Sequence, residues 1–167
     1  MESRRQLFVT IAATVGLTPV VVWLGRSAPG GTNAEPRRFP VTRTEAEWRA
    51  MLTPQQYRVV RGHSTEGAFT SPLDHETRRG TFVCVACGQP LFSSTAKYDS
   101  GTGWPSFWAP LENAVGTAID RQFFMVRTEV HCARCGGHLG HVFPDGPRPT
   151  GQRYCMNGTA LKFVPDV

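Results

Sequence analysis

The chain has 167 residues, 40% of them apolar and 10 of them phenylalanine, which supports one ordinary core and excludes a chain disordered throughout. Only 19% are charged, while 17 glycines and 13 prolines imply many turns, so a β-rich, loop-rich domain is expected rather than a helical bundle. The formal net charge is +5, but its basic residues are scattered and no basic run marks a nucleic-acid surface.

Residues 1–34 differ in character from the rest. A basic start, MESRRQLF, leads into the mainly apolar VTIAATVGLTPVVVWLG and then the turn-rich RSAPGGTNAEP. This is the three-part order of an export signal. Ser3, Arg4 and Arg5 ahead of Leu7 and Phe8 resemble a twin-arginine signal, and Arg26 after the apolar run suits that route. The rival reading is an uncleaved anchor, at the lower limit of a span and interrupted by Pro19. Both place the domain outside the cytoplasm, periplasmic or anchored facing outward, with membrane contact only through this segment.

Residues 35–43 read as a linker and 44–167 as the domain. Thr44 with Glu47 forms a capping box for a first short helix, and Thr53, Pro54 and Gln56 start a second that Gly62 ends. Strands are expected in RGTFVC, then in RQFFMVRTEVHC with Phe124, Val126, Thr128 and Val130 on one side. HLGHVF, RYCMNG and ALKFVP give three more.

Two of these strands end in matching knuckles, CVACG and CARCGG. Cys84, Cys87, Cys132 and Cys135 make the four-thiolate set that one structural Zn2+ accepts, closed to substrate. The rival is two disulfides, each across two residues, a spacing usually found in redox-active pairs.

Cys155 stands alone. It is a buried filler, half of an intermolecular disulfide, or a working thiol. Along an extended strand Arg153, Cys155 and Asn157 share a face, and a nearby cation lowers a thiol pKa. His138 and His141, three apart, would face opposite ways in a regular strand, unless a bend at Gly140 brings them together.

SGTGWPSF at 100–107, GHLGHVFPDGP at 137–147, RYCMNG at 153–158 and the two knuckles together resemble the methionine-R-sulfoxide reductase family, B type. The resemblance spans about Thr44 to Val164. It implies a mainly β fold of two small antiparallel sheets with short N-terminal helices, bridged by the four-cysteine zinc site. It makes Cys155 the nucleophile that becomes a sulfenic acid. His138 and His141 would position or protonate the sulfoxide oxygen, with Asn157 bonding near the reacting centre. Asp145 would orient the network, Arg153 would hold the thiolate, and Trp104 with Phe143 would wall the substrate methyl group. The implied substrates are oxidised proteins, acted on by a monomer. Thr102 stands where many members carry a resolving cysteine, so a thioredoxin-like protein or another external thiol would reduce Cys155. Gly158 stands where serine is common. The rival functions are a zinc-knuckle binding module without catalysis, and a thiol hydrolase for which no oxyanion hole is visible.

Overall fold

The computed structural model describes residues 38–121 and 125–167. The export segment, the start of the linker and Phe124 lie outside them. Among the described residues no helix is long and apolar enough to cross a membrane.

Two seven-residue helices open the domain, α1 at Glu45–Met51 and α2 at Pro54–Val60. Helices this short are marginal alone, and two devices hold them. Each carries a complete capping box, Thr44 with Glu47 and Thr53 with Gln56. Each also buries apolar side chains, Trp48 from α1, Val59 and Val60 from α2.

Nine strands follow: β1 Gly80–Cys84, β2 Pro90–Ser93, β3 Lys97–Tyr98, β4 Ser106–Phe107, β5 Val115–Asp120, β6 Arg127–Cys132, β7 His138–Phe143, β8 Arg153–Met156 and β9 Leu161–Pro165. They form two antiparallel sheets, one ordered β2-β1-β9 and the other β3-β4-β8-β7-β6-β5. The two-sheet, mainly β architecture with N-terminal helices agrees with the sequence expectation. Phe82 of β1, Phe92 of β2 and Phe107 of β4 fill the space between the sheets, with ring centroids 4.9 and 4.4 Å apart. Core residues from both sheets and both helices belong to one apolar cluster.

One strand differs from its expectation. β6 begins at Arg127, so Val126 precedes it and is exposed, as is Thr128, while Val130 is fully buried. Alternation alone gave the side of Val130 but not the point where the strand passes from solvent into the core.

Candidate active site

The register of the larger sheet lines up the chemistry. Ser106 pairs with Cys155, Cys155 with His141, and His141 with Glu129, across β4, β8, β7 and β6. Directly opposed residues share a face. One transverse row therefore carries a hydroxyl, a thiol, an imidazole and a carboxylate.

The spacing of His138 and His141 is resolved by a bulge. Gly140 lies opposite Val130 and His138 opposite His131, which leaves Leu139 as an extra residue in β7. The extra residue returns His138 to the face of His141, and the two rings meet edge-on with centroids 5.4 Å apart. Gly140 has its own reason to be glycine: a Cβ there would sit 2.2 Å from the carbonyl oxygen of Cys155.

Cys155, Trp104, His141, Phe143 and Asn157 line one hollow of about 110 Å3, with Thr65, Arg127 and Gly140 completing the wall. His138 lies beside it rather than on it. It is 2% exposed and borders an adjacent hollow of about 380 Å3 with His63, Asp120 and Glu129. A wider groove of about 880 Å3, bordered by Gln55, Arg78 and Lys162, contains none of Cys155, Trp104 and the two histidines. Volume alone does not mark the chemistry here.

Burial pushes the Cys155 thiol pKa up, and Thr102, the charge of Arg153 and Ser106 only partly offset it. The expectation that Arg153 lowers this pKa holds for its own contribution and fails for the net result. The reason is where Arg153 points. Its Nε and Nη2 each donate to Asp145 at 2.9 Å, and its guanidinium lies 4.5 Å over the Phe143 ring. Its charge is shared with Asp145, whose carboxyl it holds below the usual range. Asp145 itself is exposed and acts on the hollow through Arg153. The Thr102 hydroxyl lies 3.9 Å from the Cys155 sulfur.

Trp104 and Asn157 are fixed by one loop. Trp104 Nε1 donates to the Glu66 carbonyl at 3.2 Å, and the Glu66 N–H donates to Asn157 Oδ1 at 2.9 Å. Asn157 Nδ2 donates to the Leu139 carbonyl at 3.1 Å. The Asn157 amide thus ties the Glu66 loop to β7 at the edge of the hollow. The Glu66 carboxylate, buried, accepts from the N–H groups of Gly158 and Thr159 and from the Thr159 hydroxyl.

Each histidine has a carboxylate partner. Glu129 Oε1 lies 2.7 Å from His138 Nδ1, and Asp120 Oδ2 lies 2.8 Å from His141 Nε2. Burial pushes the His141 pKa down despite Asp120, so a neutral ring is favoured there. Burial also works to raise the Glu129 pKa, but hydrogen bonds to His138 and His63 and their charges hold it well below the usual range. Sequence reading passed over Glu66, Asp120, Glu129 and His63. The available signal was weak: Glu129 is an acid in the alternating strand RTEVHC, and Glu66 follows a small-residue loop.

The two knuckles are near copies. The N–H of Gly88 donates to the Cys84 carbonyl at 2.8 Å and that of Gly136 to the Cys132 carbonyl at 2.9 Å. Both glycines have left-handed φ, 71° and 68°, which a side chain would strain. All four cysteines are free thiols, and their sulfurs lie within 4.8 Å of one another. Across the knuckles Cys84 and Cys135 are 3.8 Å apart, Cys87 and Cys132 3.6 Å. A tetrahedron with bonds of about 2.3 Å has edges of about 3.8 Å, so the cluster is consistent with a zinc site. Since Cys84 ends β1 and Cys132 ends β6, the cluster joins the two sheets.

Residues 52–165 match the family model of the SelR domain. The chain belongs to the SelR family. This SelR protein is similar to three proteins named peptide methionine sulfoxide reductase MsrB. That of Hahella chejuensis is 54% identical over 124 residues, covering 74% of this chain and 89% of its own. That of Thiobacillus denitrificans is 56% identical over 124 residues, covering 74% and 94%. That of Agrobacterium fabrum is 52% identical over 126 residues, covering 75% and 93%. The matched SelR segment holds the whole hollow and both knuckles.

Proposed function

We propose that this protein is a peptide-methionine (R)-S-oxide reductase with Cys155 as its nucleophile. The observation that carries the reading is the placement of a lone thiol, a carboxylate-held histidine and an indole around one small hollow in a SelR domain, with a second carboxylate-held histidine ring against the first. Cys155 sulfur attacks the sulfoxide sulfur, the protonated oxygen passes to the Cys155 sulfur, and the substrate S–O bond and the transient S–S bond both break. The oxygen and the thiol proton end on Cys155 as sulfenic acid, and methionine is released. One thiol and one sulfoxide thus give one sulfenic acid and one sulfide, which balances atoms and electrons without a cofactor. A sulfoxide oxygen leaves poorly unless protonated, so the imidazoles of His138 and His141 supply or relay the proton. The resting thiol is neutral, which suits this route because the proton that it gives up is the one the oxygen needs. Trp104 and Phe143 receive the S–methyl group on aromatic surface. Arg153, oriented by Asp145, stabilises the thiolate as it forms, and Asn157 holds the hollow's edge.

Recycling consumes two thiols from outside: one forms a mixed disulfide with Cys155 and releases water, and the second frees the enzyme thiol. Thr102 supplies no resolving sulfur, and the remaining four cysteines are assigned to one Zn2+, which would keep both sheets joined and take no part in the reaction. The reading further includes an exported monomer that repairs oxidised proteins outside the cytoplasm, supported by the twin-arginine-like start of the chain.

The test is consumption of acetylated methionine R-sulfoxide with dithiothreitol. A reductase consumes it, and a binding module or a thiol hydrolase does not.

A further inference from the structure

Beside the hollow, one carboxylate oxygen serves two imidazoles. Glu129 Oε1 lies 2.7 Å from His138 Nδ1 and 2.9 Å from His63 Nδ1. The three side chains come from different elements: the turn after α2, β6 and β7. Their exposure falls inward, from 46% at His63 to 14% at Glu129 and 2% at His138. An ionised carboxylate only accepts, so both Nδ1 atoms must be donors. This fixes one nitrogen of the His138 ring. Its Nδ1 carries hydrogen, and its Nε2 is the atom left over. Among the described residues that Nε2 is buried with no partner. A buried polar atom without a partner is costly and calls for an explanation.

We propose that Glu129 is a positioning residue for sulfoxide reduction: it fixes His138 with hydrogen on Nδ1, reserving Nε2 for the substrate, while His63 steadies Glu129 from the solvent side. The inference rests on the reductase reading above. Without Glu129 the ring would be free to place its hydrogen on either nitrogen and to turn about its χ2. A ring turned in that way would face the substrate with the wrong atom. His63 adds a second donor to the same oxygen and narrows the rotamers of Glu129. It keeps a left-handed backbone at φ 55°, unusual for a non-glycine residue. The same three atoms lie close enough to ligate a metal, but their hydrogen bonds already satisfy them as they stand.

The experiment combines ring NMR with kinetics on the full domain. In wild-type protein labelled with 15N, the His138 ring should show hydrogen on Nδ1. In Glu129→Gln this signature should be lost, and kcat should fall about 10- to 100-fold with KM little changed. Glu129→Asp should recover part of kcat, and His63→Ala should lose less than about tenfold. Wild-type turnover of R-sulfoxide is the control. If it is absent, the reductase reading fails and this inference falls with it. If the wild type turns over and Glu129→Gln matches it, positioning is overturned and the reductase reading stands. A wild-type His138 without hydrogen on Nδ1 overturns it as well, even if Glu129→Gln does not fold. So does a second equivalent of bound Zn2+ that His63→Ala removes, because the carboxylate would then serve a metal.

Discussion

At the scale of single residues, the proposed chemistry turns on the thiol of Cys155. It pairs with Ser106 on one side and His141 on the other, and burial outweighs the cation beside it. Its folded pKa is raised, so the neutral thiol predominates at neutral pH and thiolate appears only as pH climbs past the ordinary thiol range. Alkylation of Cys155 by iodoacetamide should therefore keep accelerating into alkaline pH, and Arg153→Ala should move the rise to still higher pH. A plateau near neutrality would show that the thiol is activated in the resting protein. Thr102 offers a second residue-scale test. Its hydroxyl is 3.9 Å from the Cys155 sulfur, within the range that a small loop movement closes to a disulfide bond of about 2.05 Å. Thr102→Cys should yield that disulfide after one turnover, read by mass spectrometry of the unreduced protein.

At the scale of elements, the two knuckles and the bulge in β7 carry the architecture. The cysteine cluster ties the end of β1 to the end of β6 across 44 intervening residues between Cys87 and Cys132. Cys84→Ser or Cys135→Ser should unfold or strongly destabilise the domain, since losing the proposed structural zinc would remove on the order of 10 kcal/mol of binding coupled to folding. Metal analysis and circular dichroism of the variant check this. A smaller test concerns Gly158, buried beside Ser71. A Cβ at 158 would fall 1.9 Å from the Ser71 hydroxyl and 2.6 Å from its Cβ. Gly158→Ser should cost about 1–3 kcal/mol by overpacking, and Ser71→Gly in the same protein should recover most of it, both measured by denaturant unfolding.

How much of this the sequence disclosed also varies by element. The helices were legible because capping boxes and an N1 proline are local signals, and the knuckles because their spacing is. β2, β3, β4 and β5 were not foreseen. β3 and β4 are two residues each, and β5 reads VGTAID, with little apolar alternation. Their pairing is set by neighbours distant in the chain. The bulge at Leu139 was invisible for the same reason, since it exists only against the register of β6. The carboxylates Glu129 and Asp120 belong to the histidines only after β5, β6 and β7 pair. The thiol pKa needed burial, which spacing does not give.

At the scale of the molecule, one domain couples a closed cysteine cluster to an open hollow through the larger sheet: β6 carries Cys132 at its end and Glu129 three residues earlier. The cluster joins the two sheets, and the proposed chemistry lies in the row from Ser106 to Glu129 at Cys155 and His141. The central claim is that one unpaired thiol receives the substrate's oxygen. The most direct measurement is a single turnover of methionine R-sulfoxide without reductant, followed by a sulfenic-acid trap and mass spectrometry. The account predicts one methionine released per chain and one added oxygen, located on Cys155, with the other four cysteines unchanged. No methionine, or a disulfide that draws in Cys84, Cys87, Cys132 or Cys135, would contradict it.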